Sequence, residues 1–240
     1  PIIDRVLSSG RYVGGEEVEI FEDNIAKFCG VNFAVALNSG TDALMFALLL
    51  AGIRKGDEVI TPPNSFIAST STIVHVGATP VFVDVLPDQN LDPSKIEDAI
   101  TKNTKAIMPV HLTGRVCDMD PIMDIANRHN LIVIEDAAQA IGSKYKGKVS
   151  GSIGDIGCFS THPLKNLNAC GDGGFLTTND EDIYNQLKIF RNHGMTDRNI
   201  VNNFGNVSRM DNLQAAILNY RFSKLEYVTN KRRINAKAYH

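Results

Sequence analysis

The chain is built around one segment, GDIGCFSTHPLKNL, which covers residues 154–167. Its pattern predicts a short buried strand that ends in the hydroxyl of Ser160, then a turn set by Pro163, then Lys165. Three glycines follow, at positions 171, 173 and 174, where the backbone can approach a ligand closely because side chains are missing. Burying a lysine is costly unless something uses its nitrogen, and a neutral amine condenses with an aldehyde to an imine. A plain surface lysine after a strand is the alternative.

Composition places the chain among ordinary globular proteins. It has 240 residues, 43% of them hydrophobic, and a net charge of -3, which fits one large domain or one domain and part of another. This balance gives no attraction to nucleic acid or to an anionic membrane. No apolar run approaches the ~20 residues that span a bilayer, and no secretory signal opens the chain. We therefore expect no nucleic-acid partner, no membrane association and a cytoplasmic location.

The four cysteines point to the same compartment. Cys29, Cys117, Cys158 and Cys170 are far apart and show no metal-ligand spacing. Structural thiols in a reducing environment are therefore the better interpretation.

A predicted anion site lies near the beginning of the chain. A short strand over residues 33–37 runs into Asn38-Ser39-Gly40-Thr41-Asp42, and an apolar helix follows over residues 43–51. A turn that opens a helix gathers free N–H groups and the positive end of the helix dipole, which suits a phosphate. A plain N-cap by Ser39 or Thr41 explains the same residues.

Strands and helices alternate over most of the chain, which predicts an α/β fold with a largely parallel sheet. The other predicted strands are residues 59–61, 80–85, 105–110, 131–134, 155–160 and 174–178. The other predicted helices are residues 16–28, 66–76, 93–100, 121–129, 180–191 and 210–225, and residues 197–207 are predicted to form an exposed loop.

Two carboxylates stand at the end of the strand that begins at residue 131. Ligand sites of open α/β sheets gather at that end of the strands. Alternation puts Glu135 and Asp136 on opposite sides, so one of them at a time can face a given pocket. Solvated loop carboxylates are the alternative.

Phe66, near the start of a predicted helix, can stack on a flat ligand, although core packing is the commoner role for phenylalanine.

Several other short motifs resemble functional sites but lack a feature that the function needs. Residues 142–148 resemble a phosphate-binding loop, but Val149 replaces the hydroxyl that holds magnesium and no helix follows. No G-x-G-x-x-G follows the first strand, which disfavours a nicotinamide oxidoreductase. The histidines His111, His129, His162 and His193 lack metal-ligand spacing, so no metal site is expected. His162 has two open roles, proton transfer beside Lys165 or contact with substrate.

Together these residues are the parts that a protein needs to hold pyridoxal 5'-phosphate (PLP). The phosphate needs N–H and hydroxyl donors, the ring needs a flat partner, the ring nitrogen needs a carboxylate, and the aldehyde needs an amine.

The chain as a whole resembles the DegT/DnrJ/EryC1/StrS aminotransferases, the sugar-aminotransferase branch of the fold-type-I PLP enzymes. The resemblance covers nearly the full length and depends on the order and spacing of several short motifs. They are NSGTDAL (38–44), GDEVI (56–60), EDAAQ (135–139), STHPLKNL (160–167), GDGG (171–174), RNHG (191–194) and RMDNLQAA (209–216).

The resemblance implies a role for each matching residue. Lys165 corresponds to the lysine that forms the internal Schiff base and is the implied catalytic residue. The implied cofactor-binding residues are Gly40, Thr41 and Ser160 at the phosphate, Phe66 on the ring, Asp136 at the ring nitrogen, and Gln139 beside the ring hydroxyl.

The resemblance also implies the reaction and the architecture. Family members transfer an amino group, commonly from glutamate, to a keto group of a nucleotide-linked sugar, with the pyridoxamine form (PMP) as intermediate, in polysaccharide or antigen biosynthesis. They are homodimers with the active site at the interface. The expected fold is a three-layer α/β/α large domain with a mostly parallel mixed sheet. We assign residues 1–225 to this PLP-binding domain and residues 226–240 to the connection with a small C-terminal domain that is missing from this chain.

One residue departs from the family pattern, and two other functions stay open. The family often has an asparagine two residues before the arginine of RMD, offered to the partner subunit's phosphate, but Val207 stands there, next to Asn206. A sugar dehydratase of the same family is one alternative, but those enzymes replace the lysine with histidine, so Lys165 argues against it. A PLP-binding or regulatory protein without turnover is the other.

Overall fold

The computed structural model describes residues 2–239, which form eight α-helices and eleven β-strands. The helices are α1 (Ile2–Ser9), α2 (Glu16–Cys29), α3 (Gly40–Leu50), α4 (Ile67–His75), α5 (Met119–His129), α6 (Glu181–Phe190), α7 (Asn212–Phe222) and α8 (Leu225–Tyr239). The strands are β1 (Phe33–Leu37), β2 (Glu58–Thr61), β3 (Thr79–Phe82), β4 (Thr104–Ile107), β5 (Ile132–Asp136), β6 (Lys144–Tyr145), β7 (Lys148–Val149), β8 (Ile156–Ser160), β9 (Gly174–Thr178), β10 (Met195–Asp197) and β11 (Ile200–Val201).

Seven strands form the central sheet, in the order β1-β9-β8-β5-β4-β2-β3. The pairs from β8 through β5, β4 and β2 to β3 are parallel, whereas β9 is antiparallel to both of its neighbours. Within this sheet β9 therefore runs against the other six strands. This confirms the predicted mixed, mostly parallel sheet.

Helices cover both faces of the sheet, because alternate residues of each strand point to opposite sides. On one face, strand residues such as Val35 and Ile134 pack with apolar side chains of α3, α4 and α6. On the other face, Phe175 packs with α2 and α7, and Val133 packs with α5. The fold is the expected three-layer α/β/α arrangement.

One predicted helix is wrong. Residues 93–100 form two 3₁₀ turns, Pro93–Lys95 and Glu97–Ala99, instead of an α-helix. Each turn closes with an i→i+3 hydrogen bond, and the backbone is extended again at Ile100. So short a segment gains too few α-helical hydrogen bonds to offset the cost of nucleation.

Several predicted bounds need adjustment. The strands predicted over residues 80–85 and 105–110 end at Phe82 and Ile107, and the helix predicted to begin at residue 43 begins at Gly40. The helix predicted over residues 210–225 ends at Phe222, because the chain turns at Ser223 before α8 begins. The loop predicted over residues 197–207 contains part of the small hairpin β10–β11. Residues 142–148 form most of the hairpin β6–β7 and lead into no helix, in agreement with the rejection of a phosphate-binding loop.

The C-terminal helix α8 has one buried residue, Leu225, and its remaining described residues lie largely exposed. The domain division at residue 225 stays a prediction.

Candidate active site

A cavity of about 420 Å³ lies at the carboxyl ends of the parallel strands. Residues that follow β1, β5 and β8 line it, together with the start of α4. All seven residues singled out in the sequence contribute to its wall: Gly40, Thr41, Phe66, Asp136, Gln139, Ser160 and Lys165. The fold thus brings into one cavity residues that are up to 125 positions apart, from Gly40 to Lys165.

The N-terminus of α3 forms one wall of the cavity. The Asp42 N–H donates to Ser39 Oγ over 3.0 Å, so Ser39 is the N-cap, as the simpler interpretation held. The first N–H groups of a helix have no intrahelical partner, and Gly40 and Thr41, which carry two of them, line the cavity. The capped helix and the anion site are therefore compatible.

Gly40 is required by a close approach between α3 and the end of β8. A Cβ atom added at Gly40 would lie 2.7 Å from Ser160 Cβ and 3.0 Å from Ser160 Cα. Because Gly40 has no side chain, the helix N–H groups and the Ser160 hydroxyl can face the same small space. Ser160 Oγ accepts a hydrogen bond from the His162 N–H at 3.2 Å, which leaves its own O–H as a donor.

Lys165 lies in the turn after β8. Its N–H donates to His162 O over 2.8 Å, and Leu167, two residues further on, is buried in the core beneath. Its side chain is half-buried and makes no ion pair among the described residues. Lys165 therefore lines the cavity without an ion-pair partner among the described residues.

Asp136 ends β5 with its carboxylate at the cavity, 5% exposed. Its Oδ2 accepts from Ser69 Oγ at 2.6 Å, and its Oδ1 accepts from the Ala138 N–H at 3.2 Å. Burial raises the pKa of Asp136, and the two hydrogen bonds and the nearby charge of Lys165 oppose that rise. A cation brought into the cavity would favour the ionised carboxylate further.

Glu135 points to the other face of the sheet, as alternation predicted, and the solvated-loop alternative is wrong for both carboxylates. Its two oxygens accept from His111 Nε2 and from the backbone N–H groups of Gly151, Ile153 and Gly154, at 2.7–2.8 Å. Burial opposes the charge on Glu135, but these hydrogen bonds outweigh it and lower its pKa. Glu135 lies outside the cavity.

Gln139 and Phe66 are the other two predicted residues on the cavity wall. Gln139 Oε1 accepts from the Thr113 N–H at 2.9 Å, so the amide Nε2 is left as a donor. Phe66 is 69% exposed, which excludes the core-packing alternative and leaves an aromatic face at the cavity edge.

The donor set fits a phosphorylated aldehyde on an aromatic nitrogen ring. A doubly charged phosphate matches the α3 N–H groups and the Ser160 hydroxyl. A ring oxygen that carries negative charge matches the Gln139 amide, and a protonated ring nitrogen matches Asp136. The unpaired amine of Lys165 matches the aldehyde.

Sequence reasoning missed Ser65 and Ser69. Ser65 lines the cavity, and its Oγ lies 2.7 Å from Ser69 Oγ, which in turn contacts Asp136. Their i, i+4 spacing around the start of α4 was the available signal, because such residues share a helix face.

Of the remaining candidates, His162 lines the cavity, whereas none of the four cysteines does. Burial raises the pKa of Cys29 and of Cys117 to about 12, so neither is a thiolate near neutral pH. Cys170 is exposed. Between residues 2 and 239 no cluster of three or more histidine, cysteine, aspartate or glutamate residues is arranged to hold a metal ion. No helix in that range is both long and apolar enough to cross a membrane.

Fold and site together define an α/β protein with an amine, a carboxylate and an anion cradle around one cavity at the strand ends. The chain belongs to the DegT/DnrJ/EryC1/StrS aminotransferase family, whose sequence profile matches residues 2–240.

Characterised relatives are similar over almost the whole chain. The pleiotropic regulatory protein of Geobacillus stearothermophilus is 44% identical over 239 residues, which is 99% of this chain and 64% of that protein. The dTDP-3-amino-3,4,6-trideoxy-alpha-D-glucose transaminase of Streptomyces venezuelae is 43% identical over 238 residues, 99% of this chain and 63% of the transaminase. The chain therefore spans slightly less than two thirds of the length of these relatives.

A solved structure shares the fold. NtdA from Bacillus subtilis, crystallised with bound cofactor PMP, superposes with a TM-score of 0.88 at 42% sequence identity, over 93% of this chain and 52% of NtdA.

Proposed function

We propose that this chain is the cofactor-binding part of a PLP-dependent aminotransferase that moves an amino group to the keto group of a nucleotide-linked sugar. The observation that carries the proposal is the single cavity shared by Lys165, Asp136 and the N-terminus of α3. Family membership and the similarity to a sugar-nucleotide transaminase support the reaction and the substrate class. The PMP bound in NtdA supports the cofactor.

Each residue has a task that its geometry suits. Gly40, Thr41 and Ser160 would bind the phosphate, and Phe66 would cover the ring and keep water from it. Gln139 donates its Nε2 hydrogen to the ring oxygen. These contacts orient the cofactor before the amine reacts.

Asp136 and Lys165 supply the charge and the proton chemistry. When bound, the cofactor supplies an electron sink that stabilises negative charge on the substrate carbon next to nitrogen. Asp136 would accept a hydrogen bond from the protonated ring nitrogen and so maintain its positive charge. Lys165 would hold the aldehyde carbon through Nζ, with the carbonyl oxygen leaving as water, and the freed amine would take and return a proton at the same nitrogen.

We propose glutamate as the amino donor and a homodimer with the active site at its interface. Exposed apolar side chains near the cavity support the dimer, since Leu164, which lines it, is 84% exposed and Phe66 is 69% exposed. Asn206, beside Val207, is the candidate for the contact with the phosphate of the partner subunit.

The four free cysteines support a reducing compartment, and we place the protein in the cytoplasm.

The large-domain assignment belongs to the proposal as well. We propose that residues 1–225 form the PLP-binding domain and that residues 226–240 lead toward a small C-terminal domain. The exposed helix α8 supports this division, because one residue of it, Leu225, is buried.

Absorbance spectroscopy tests the function. The purified protein with PLP should show visible absorbance from the lysine-bound cofactor, and glutamate should shift that band as the cofactor takes up the amino group. Keto-sugar nucleotides added next should restore the band and yield an amino sugar. A PLP-binding protein without turnover would absorb but not cycle, and a protein with no visible band after PLP addition would contradict the proposal outright.

The dehydratase alternative is tested in the same cuvette. A dehydratase would release water from the sugar and form no amino sugar, so the ratio of amino sugar formed to keto sugar consumed separates the two reactions. We expect that ratio to be one to one.

A further inference from the structure

Two serines connect the cavity with the buried carboxylate of Asp136. Ser69 Oγ donates to Asp136 Oδ2 over 2.6 Å, and Ser65 Oγ lies 2.7 Å from Ser69 Oγ. Ser69 is fully buried, whereas Ser65 is half-buried and lines the cavity. The three side chains form one row from the cavity wall to the end of β5.

The direction of the hydrogen bonds in this row follows from its chemistry. An ionised carboxylate accepts hydrogen bonds and donates none, so the single Ser69 proton must point to Asp136. Ser69 then has lone pairs to offer, and Ser65 is the donor in the Ser65–Ser69 contact. Successive hydrogen bonds polarise one another, so the Ser65 contact strengthens the bond that Ser69 donates.

We propose that Ser69, with support from Ser65, is a positioning residue that keeps Asp136 ionised and oriented for the cationic ring of the cofactor. This inference rests on the proposed function. A hydrogen bond to the charged form of a carboxyl favours that form. Ser69 opposes the effect of burial, which otherwise favours the neutral acid.

Other groups around Asp136 act on the same equilibrium. The Ala138 N–H donates to Oδ1, and the positive charges of Lys165 and of His111, when protonated, also favour the carboxylate. The Cys158 thiol lies close on the neighbouring strand, and burial raises its pKa well above the ordinary value, so it stays neutral. Glu135 is directed to the opposite face. Variants of the two serines must therefore be compared in proteins in which Lys165 and His111 are left unsubstituted.

The first measurement follows Asp136 itself in the cofactor-free protein. Carboxyl ¹³C NMR of protein labelled at aspartate gives the titration curve, and Asp136→Asn identifies the resonance by its loss. Ser69→Ala should move the midpoint upward by about one to two pH units, since hydrogen bonds to charged groups contribute about that much. Ser65→Ala should produce a smaller rise, and Ser69→Thr should restore the original midpoint. An unchanged midpoint in Ser69→Ala would overturn the inference.

The second measurement is the affinity for PMP by calorimetry across pH. Ser69→Ala should bind about tenfold more weakly near neutral pH, and the acidic limb of its profile should lie at higher pH than in the unchanged protein. Ser71→Ala is the matched control, because Ser71 lies in the same helix and its hydroxyl contacts Ala68 O rather than Asp136. A purely structural role for Ser69 would lower the melting temperature without moving the acidic limb.

Different results would contradict the proposed function and the proposed role of Ser69. If the unchanged protein does not bind PMP, the proposed function is wrong. If it binds PMP and Ser69→Ala binds equally well with the same pH profile, the function stands and the role of Ser69 is wrong.

Discussion

At the scale of single residues, the proposed chemistry needs a free amine at Lys165 rather than a positive charge. Lys165→Ala should reduce turnover by about 10²- to 10⁴-fold or more, since it removes the group that transfers the proton. Binding of PMP should persist, because the proposed phosphate contacts at Gly40, Thr41 and Ser160 do not involve Lys165. Steady-state rates and PMP calorimetry measure the two effects.

Lys165→Arg is the matched control for charge. It keeps a cation near Asp136 but offers no nucleophilic amine at neutral pH. We expect it to be as inactive as Lys165→Ala. Transaminase rates near those of the unchanged protein in either variant would contradict the assignment of Lys165.

The residues that line the cavity could be singled out from the sequence because each lies in a local signal. Lys165 follows a strand and a proline turn, Gly40 and Thr41 open a helix, and Asp136 ends an aliphatic strand. Ser69 could not be assigned in this way. Its partner Asp136 is 67 positions away, and the contact exists only because α4 packs on the face of the sheet to which Asp136 points.

At the scale of elements, Gly40 sets the distance between α3 and β8. Gly40→Ala places a methyl group 2.7 Å from Ser160 Cβ, so the helix must move away from the strand. We expect a loss of about 1–3 kcal/mol in the free energy of unfolding, as for other overpacked positions. The phosphate donors should separate as well, so the affinity for PMP should fall more than that for pyridoxamine, which lacks the phosphate.

Thr41→Ala is the comparison for Gly40→Ala. It removes the neighbouring hydroxyl at an exposed position but keeps the N–H groups and the spacing of the two elements. Its urea midpoint should match that of the unchanged protein. If Gly40→Ala lowered the affinity for PMP and the affinity for pyridoxamine by the same factor, that result would argue against a phosphate site at this helix.

Glu135 ties the loop before β8 to β5 through three hydrogen bonds and accepts a fourth from His111. Glu135→Gln replaces one acceptor oxygen by a donor and leaves buried N–H groups without a partner, which should cost about 3 kcal/mol of unfolding free energy. The surface variant Glu226→Gln should leave the urea midpoint nearly unchanged.

The pH dependence of Glu135→Gln follows from the lowered pKa of Glu135. A carboxyl with a depressed folded pKa stabilises the protein above its unfolded pKa of about 4.3 and loses that contribution as the pH falls through the folded value. The unchanged protein should therefore lose stability below about pH 4.3, and the variant should lose less over the same range. Parallel curves for the two proteins would show that Glu135 is not ionised in the fold.

Periodicity predicted most elements because apolar alternation is a local property. Strand β1 was predicted with its observed bounds, and the period-two pattern placed Glu135 and Asp136 on opposite faces. Periodicity did not predict the elements whose backbone conformation is determined by tertiary contacts. Ile96, fully buried against the sheet, lies between the two 3₁₀ turns of residues 93–99, and the turn at Ser223 separates two helices that share one continuous sequence pattern.

At the scale of the whole molecule, the proposed function predicts that cofactor binding and folding are coupled, because the cavity is assembled from distant parts of the chain. The unfolded chain cannot bring the α3 turn, Asp136 and Lys165 together, so PLP should bind the folded state selectively. A ligand at a hundred times its dissociation constant then adds about 2.7 kcal/mol to the unfolding free energy. For a protein of this size that corresponds to a rise of about 5–11 °C in melting temperature.

Thermal unfolding with matched ligands tests this coupling. PLP should raise the melting temperature more than pyridoxal, which lacks the phosphate, and inorganic phosphate alone should give a small rise through the α3 site. In Lys165→Ala the effect of PLP should shrink toward that of PMP, since the covalent link is gone but the phosphate contacts remain. If PLP and pyridoxal stabilise the protein equally, the phosphate cradle contributes nothing. If PLP gives the same rise in Lys165→Ala as in the unchanged protein, the amine that captures the aldehyde lies elsewhere in the chain.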